Sequence, residues 1–256
     1  MTGREPMNPQ VGQYRLGGTL QGWTRLDALS ARQLTALRLA YAGLTPRVYG
    51  RYGHKQWAAA WPGTRTVVKD PFAMLSVATV ASVTSALPVL VYRHPAAVLL
   101  SYRRMGWFPD VAQVVAALPG SPQQAPDLPC EDARSLAWFW STLNTAALRD
   151  LDDMEDAIVV SHEELASGGI PALHVLFKTL GLELPTASAA TTAHERFEPT
   201  IGDRAGQNRD LHRLDRSSEE VAKAWRSGVT DDDLGLLEAL AGPTLDALEA
   251  ARLKLT

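Results

Sequence analysis

A basic side chain and a hydroxyl side chain flank the start of one predicted helix. Residues 89–92 form an apolar run without polar alternation, typical of a parallel strand buried on both faces, and Arg93 follows directly. Pro95 suits a first helical turn, where its missing N–H is not needed. Ser101 lies 8 positions after Arg93, so both side chains could converge on one anion at the helix start. This spacing predicts a phosphate site, although a strand-end arginine is more often a salt-bridge partner.

A lysine and an aspartate follow a second β-rich run. Residues 64–68 predict a strand, and Lys69 and Asp70 stand between it and an apolar helical stretch over residues 72–87. Ligands of doubly wound sheets bind at the carboxyl ends of the strands, so Lys69, Asp70 and Arg93 are expected to face one crevice. The alternative is a local ion pair in which the acidic side chain stabilises the start of the following helix.

Two further segments bear polar residues next to predicted elements. Residues 157–160 predict a strand, closed by residues 161–165, and a helix is expected over about residues 170–180. Within the closing segment, His162 is read as a strand-end histidine and Glu163 as a possible acceptor for backbone amides of the turn. Later in the chain, residues 213–218 are basic and serine-bearing. There, Ser218 is the expected N-cap of the helix that contains Trp225.

These motifs together resemble one enzyme family. Arg93-His94-Pro95, followed by Ser101 and by residues 103–107, resembles the 3′-phosphate motif of the bacterial sulfotransferases that use 3′-phosphoadenosine-5′-phosphosulfate (PAPS). Lys-Asp-Pro at residues 69–71 and the segment at residues 161–165 are similar to further family motifs, and the basic segment before Ser218 fits loosely. The resemblance covers most of residues 1–256. It implies one α/β domain, a P-loop-NTPase-like three-layer sandwich with a central parallel sheet.

The resemblance also implies a reaction and a set of site residues. PAPS would be the co-substrate, with no metal, and a sulfuryl group would pass in line to a hydroxyl or amine of a small-molecule or glycan acceptor. Lys69 would stabilise charge on the sulfuryl group, and Asp70 would orient or deprotonate the acceptor, with His54 or His162 as the next candidates for the base. The residues implied in nucleotide binding are Arg93, Ser101, His162, Arg216 and Ser217. His162 takes the position of the aromatic residue near the adenine, although a structural histidine is at least as common there.

One family motif does not occur in this sequence. Sulfotransferases carry a Pro-Lys/Arg-Ser-Gly-Thr-Thr loop whose amides hold the 5′-phosphosulfate, and neither this loop nor a Walker-type loop is present. Residues 3–9 are similar to the stretch that follows this loop in the family. We therefore expect a sheet without its first strand and loop, from either an upstream start or a natural pseudoenzyme. The upstream start is favoured because a parallel strand without its neighbour would expose apolar surface and unpaired backbone groups. The alternative function is a non-catalytic nucleotide-binding protein; another phosphotransferase is disfavoured.

Composition sets wider bounds on the protein. A chain of 256 residues with 46% hydrophobic and 21% charged residues is typical of one soluble globular domain. The net charge of −3 gives no overall attraction to nucleic acid or to an anionic membrane. Cys130 is the single cysteine, so an internal disulfide is excluded. Because neither a signal peptide nor a membrane-spanning run is recognisable, the expected location is cytoplasmic. The oligomeric state stays open.

The remaining pattern predicts the elements that position these motifs. A helix is expected from about residue 30 to 41, a proline-rich loop or mobile lid over residues 109–129, and a long helix over residues 131–150 with an apolar stripe. Residues 185–210 are irregular and predict a cover over the nucleotide. Thr230 and the acidic run after it predict the capped, solvated start of a final helix that ends near residue 253.

Overall fold

Two parallel strands lie at the centre of the described structure. The computed structural model describes Met7 and residues 22–44, 67–119, 132–183 and 218–255. Within these ranges, β1 (Val89–Tyr92) pairs in parallel with β2 (Ile158–Ser161), so that Tyr92 stands opposite Ser161. Both strands confirm the predicted apolar runs. The expectation of burial on both faces holds for β2 but not for β1, since the Val91 side chain is 53% exposed.

Helices make up most of the rest. The α-helices are α1 (Ala31–Tyr41), α2 (Val77–Thr84), α3 (Pro95–Met105), α4 (Val111–Ala117), α5 (Ala133–Asp152), α6 (His162–Thr179), α7 (Ser218–Lys223), α8 (Trp225–Gly228) and α9 (Asp231–Ala251), and a 3₁₀ helix (Pro71–Ser76) precedes α2. The predicted cap Thr230 accepts a hydrogen bond from the Asp233 N–H at 3.2 Å, and Ser30, where a helix is expected to begin, caps α1 by accepting from the Gln33 N–H at 3.3 Å. Ser218 is the first residue of α7, which ends at Lys223, so the predicted helix from Ser218 through Trp225 is divided into α7 and α8. The predicted long helix is α5.

The core is built around α5. Its predicted apolar stripe is buried, including Leu136, Trp140 and Leu143, and α9 packs along it. Trp140 belongs to the same hydrophobic cluster as Leu90 and Tyr92 of β1, so the strand is fixed against this helix. After α9 the chain returns to β2, where the Leu253 N–H donates to the Val159 carbonyl at 2.8 Å. The sheet is therefore held between α5, α9 and the chain segment that follows α9.

Three sequence expectations differ from the structure. Val67 and Val68 are not in a strand; Val67 is 46% exposed, which is incompatible with a central parallel strand, and residues 64–66 lie outside the described ranges. The predicted loop from residue 109 contains α4, which begins after Asp110 because the Asp110 carboxylate accepts from the Gln113 N–H at 3.0 Å. The helix expected from residue 170 begins instead at His162, directly after β2, and is interrupted at Gly169.

The larger architecture remains a prediction. The described residues contain a parallel two-stranded sheet between helices, which agrees with an α/β fold, while the three-layer sandwich and the single domain over residues 1–256 are not tested. Residues 120–131 and 184–217, which include Cys130 and the expected nucleotide cover, lie outside the described ranges. Among the helices that the structure describes, none combines the length and the apolar character needed to cross a membrane.

Candidate functional site

Two helices begin at the same edge of the sheet. β1 leads through Arg93 and His94 into α3, and β2 leads directly into α6 at His162. Because the strands are parallel and adjacent, the first turns of both helices lie at the carboxyl edge. Helix N-termini carry partial positive charge and free N–H groups. This edge is therefore favourable for an anion, the kind of ligand that the spacing of Arg93 and Ser101 predicts.

Arg93 is fixed by contacts on three sides. Its Nε lies 4.0 Å from Glu163 Oε1, its Nη2 donates to the Val221 carbonyl at 3.4 Å, and its own carbonyl accepts from Trp140 Nε1 at 3.0 Å. The side chain is 28% exposed. Burial lowers the pKa of Arg93, the Glu163 carboxylate opposes this, and Arg104 lowers it further. Among the described residues, the buried Arg93 Nε has no hydrogen-bond partner, so this donor is unsatisfied there apart from the nearby charge of Glu163.

Glu163 joins the two strand ends. Its Oε1 accepts from the backbone N–H of His94 at 3.1 Å, so Glu163 is an acceptor for a backbone amide as expected, but the amide belongs to the turn after β1 and not to its own turn. Burial raises the pKa of Glu163, while the hydrogen bond from His94 and the charge of Arg93 oppose that rise. The carboxylate thus holds the β1–α3 turn against α6 and lies beside the guanidinium group of Arg93.

His162 lies on the other side of this carboxylate. Its Nδ1 is 3.9 Å from Glu163 Oε1 and, within the described part of the chain, has no hydrogen-bond partner. Burial lowers the pKa of His162, and the charge of Arg93 lowers it further, so the neutral imidazole is favoured at pH 7. A neutral imidazole at this edge can stack on a base or share a hydrogen bond with a ligand.

His94 is a site residue that sequence reasoning did not single out. Its Nδ1 caps α3 by accepting from the Ala96 N–H at 3.2 Å, and its ring stacks on Trp225 with centroids 4.0 Å apart and planes 7° from parallel. Pro95 was the available signal, because a proline at the first helical position places the N-cap one residue earlier. The partner Trp225 is far away in the sequence, so no local pattern could identify it.

Further cations surround this stack. The Arg226 guanidinium lies 5.4 Å from the centroid of the Trp225 ring, and its charge lowers the pKa of His94, after the larger effect of burial. Among the described residues, neither Arg226 nor Arg104 forms an ion pair. Glu249, a further nearby carboxylate, is bound by Tyr92 and Arg252. The edge therefore combines the guanidinium groups of Arg93 and Arg226 with Glu163, whose ionised form is disfavoured by burial.

The other predicted site residues have different surroundings. Ser101 is half-buried in α3, six residues after Pro95 and thus about 9 Å along the helix axis. Asp70 caps the 3₁₀ helix: its Oδ1 accepts from the Phe72 N–H at 3.2 Å and its Oδ2 from the Met7 N–H at 2.6 Å. This capping is the alternative that the sequence left open for Asp70. Lys69, next to it, is exposed.

The assigned roles of these residues stay predictions. The structure brings Arg93, His162 and Glu163 together at one edge. Phe72, beside the Asp70 cap, packs against the cluster of Met7 and Leu37, which is distinct from the cluster that contains Tyr92 and Ala96. Three predicted site residues lie outside the described ranges: His54, Arg216 and Ser217. Among the residues that the structure describes, no group of three or more metal-ligating side chains is present.

Comparison with known proteins identifies a similarity to one solved structure. No protein-family model matches the chain, and no curated protein matches it. Among solved structures, it is similar to a chain described as the sulfotransferase domain from the curacin biosynthetic pathway, with 18% sequence identity and a TM-score of 0.41. The similarity covers 69% of this chain and 62% of that domain, which is less than two thirds of its length. Similarity at this level does not establish a family, so the functional argument depends on the residues at the carboxyl edge.

Proposed function

We propose that the chain binds an adenine nucleotide with a 3′-phosphate at the carboxyl edge of β1 and β2, and that it acts as a PAPS-dependent sulfotransferase. The observation that carries the proposal is Arg93, a half-buried guanidinium group at a strand end whose Nε has no hydrogen-bond partner among the described residues. The Arg-x7-Ser motif that includes it resembles the 3′-phosphate motif of that family.

Unsatisfied polar atoms support a ligand at this edge. Buried polar atoms are normally hydrogen-bonded, yet Arg93 Nε, His162 Nδ1 and Trp225 Nε1 have no such partner within the described part of the chain. The His94 ring adjoins both Arg93 in sequence and Trp225 in space. Phosphate oxygens accept hydrogen bonds from guanidinium and indole N–H groups, and an adenine ring can stack on an imidazole. A nucleotide phosphate thus matches the chemistry of these groups.

The transfer step would need positioning and charge neutralisation. In the proposed reaction the acceptor oxygen or nitrogen forms a bond to sulfur while the bond from sulfur to the bridging phosphate oxygen breaks. The acceptor proton passes to a base, and 3′-phosphoadenosine-5′-phosphate (PAP) leaves. We assign Lys69 to the charge that develops on the leaving oxygen and Asp70 to the acceptor proton. Since both Asp70 oxygens accept backbone N–H groups, its contribution would come from orienting the acceptor.

A non-catalytic nucleotide-binding protein is the second candidate. The observation that favours it is the same cap, because a carboxylate that receives the N–H groups of Met7 and Phe72 already has a structural role. Both candidates bind PAP through Arg93, and only the enzyme transfers sulfate. Incubation with labelled PAPS and a panel of phenols, alcohols and sugars distinguishes them. Labelled product supports the enzyme, whereas PAP binding without product on any acceptor supports the binding protein.

Calorimetry tests the nucleotide site that both candidates share. We expect PAP to bind at least tenfold more tightly than adenosine-5′-phosphate, because only PAP carries the 3′-phosphate. Arg93→Ala should remove most of this preference, since a hydrogen bond to a charged group contributes roughly 1.5–3 kcal/mol. Arg32→Ala, an exposed position on α1, is the matched control and should bind PAP like the parent chain. Equal affinities for the two nucleotides, or an unchanged PAP affinity in Arg93→Ala, would refute the site.

A further inference from the structure

We propose that neutral His94 holds residues 218–228, the latch segment, against the carboxyl edge of β1, and that protonation of His94 releases this segment. The latch segment comprises α7, Ala224 and α8. The inference depends on contacts within the chain and does not require that a nucleotide binds there.

Contacts at several points hold the latch segment. Trp225 stacks on His94, and the Val221 carbonyl accepts from Arg93 Nη2 at 3.4 Å. Gly228 lies close enough to Leu100 that a β-carbon added there would be 3.0 Å from the leucine side chain. The segment therefore contacts the end of β1 and, through α8, the face of α3, while α7 packs against α6. The stack contains His94, which can titrate near neutral pH, and the other histidine near this interface is His162 at the start of α6.

The neutral form of His94 is required by its hydrogen bond. Nδ1 accepts from the Ala96 N–H at 3.2 Å, so it carries a lone pair and no proton. Protonation converts Nδ1 into a donor that faces the Ala96 N–H, and the ring must turn away to relieve this contact. A ring that turns loses its near-parallel orientation of 7° to the Trp225 indole. The cap and the stack are therefore lost together.

Charged groups on the elements packed near His94 influence its protonation. Arg226 on α8 opposes its protonation, and Arg93 adjoins it on the same turn. Two carboxylates act from the other side: Glu249 on α9, which favours the protonated ring, and Glu163 on α6, which accepts the His94 backbone N–H. A cation above an indole is also stabilised by the ring. Burial and Arg226 outweigh the charge of Glu249, and the pKa of His94 is lowered from 6.5.

Release of the latch segment would change the anion site. Arg93 loses its Val221 acceptor, and Arg226 moves away with α8. The strand-end guanidinium then becomes free to meet a ligand, while the cation contributed by the latch segment is withdrawn. Acidification would in this way alter access to Arg93 without unfolding β1, which is held by β2 and α5.

Hydrogen exchange of the full chain measures the release directly. Amide protection of residues 218–230 is compared at pH 7.5 and pH 5.5 after correction for intrinsic exchange rates. We expect the protection to fall by up to about tenfold at pH 5.5. One proton changes an equilibrium by at most tenfold per pH unit, and a released histidine takes up its proton only below about pH 6.5, which leaves one unit of the range. Protection of α5 should stay constant. Equal protection of residues 218–230 at both pH values overturns the proposal.

Variants assign the response to His94. His94→Asn supplies a side-chain oxygen that caps helices well and does not titrate, so protection should no longer depend on pH. His162→Asn, Glu163→Gln and the exposed control His174→Asn should each retain the response. Loss of the response in His162→Asn or Glu163→Gln with retention in His94→Asn assigns it to another group and overturns the proposal.

A second variant covers the case in which His94→Asn does not fold. Trp225→Leu removes the stack without changing a titrating group. We expect its residues 218–230 to be as poorly protected at pH 7.5 as those of the parent chain at pH 5.5. Parent-like protection in Trp225→Leu shows that the stack does not hold the segment and overturns the proposal.

Discussion

Asp70 has two candidate roles, a helix cap and a catalytic base, and the groups that its carboxylate binds distinguish them. As a cap, it accepts the backbone N–H groups of Phe72 and Met7 and so joins the start of the 3₁₀ helix to a distant part of the chain. As a base, it would need an oxygen directed at an acceptor hydroxyl. A carboxylate that receives two N–H groups is stabilised in its charged form and is therefore a weak base. Its catalytic contribution, if the proposed function holds, comes from orientation.

Substitution of Asp70 tests both roles. Asp70→Ala should lower the free energy of unfolding by about 0.5–2 kcal/mol, the usual effect of losing an N-cap, whereas Asp70→Asn should lower it less because an oxygen acceptor remains. Urea unfolding measures this difference. In a preparation with transferase activity, Asp70→Asn should reduce turnover by about 100-fold and change PAP affinity by less than about threefold. Normal turnover would assign the base to another residue, with His54 or His162 next.

The residues of the site differ in how far sequence could predict them. Arg93 was predicted because an apolar run that ends on a cation before Pro95 is a local pattern. The contact from Glu163 to the His94 N–H was anticipated only as binding to amides of its own turn; its actual partner follows β1, 69 positions away. Trp225 could not be assigned at all, since its stack on His94 depends on tertiary packing.

At the scale of elements, the interruption of α6 has a clear physical cause. Gly169 has φ 55° and ψ −139°, a conformation that only glycine adopts readily, and Pro171 follows it inside the helix. The break separates the first turns of α6, which carry His162 and Glu163, from the outer turns. The sequence predicts a helix only from about residue 170, but Ser161 caps a helix that begins earlier, since the Glu164 N–H donates to Ser161 Oγ at 3.3 Å.

Glycine substitutions should have opposite effects in two helices. A β-carbon at Gly169 would meet no atom within 4 Å, so Gly169→Ala is expected to destabilise through backbone strain alone, by about 1–3 kcal/mol. Gly235 lies inside α9, without a positive φ and with no atom within 4 Å of an added β-carbon. Gly235→Ala should therefore stabilise by about 0.5–1 kcal/mol. Thermal or urea unfolding of both variants checks the signs, and destabilisation by Gly235→Ala would contradict the argument.

Ion pairs between residues that are distant in the sequence could not be predicted from local patterns. The acidic start of α9 was read as solvated, yet Asp233 is bound by both terminal nitrogens of Arg103, at 2.6 and 3.2 Å. This contact connects α9 to the end of α3 across 130 positions. Similarly, Glu164 binds Arg252 and the Leu255 N–H, which fixes the segment after α9 beside β2. Caps, apolar stripes and strand runs are local in sequence, whereas these pairings require the folded chain.

For the whole molecule, two partly buried histidines should make stability depend on pH. Burial lowers the pKa of both His94 and His162 below 6.5, so the unfolded chain binds more protons than the folded one in the window below pH 6.5. Their contribution is complete above that pH and is lost as the pH falls through the window. Glu163 acts in the opposite direction, since burial raises its pKa and its charged form becomes costly as the pH rises above 4.5.

The free energy of unfolding should therefore decrease between pH 7.5 and pH 5.5. Each histidine contributes a slope of at most about 1.4 kcal/mol per pH unit, and the effect of His162 should be smaller because its side chain is 36% exposed and screened by water. Urea unfolding across this range measures the slope. His94→Asn should reduce it more than His162→Asn does, and the exposed His174→Asn should leave it unchanged. A flat profile in the parent chain, or a slope that persists in the double variant of His94 and His162, would show that other groups control stability in this range.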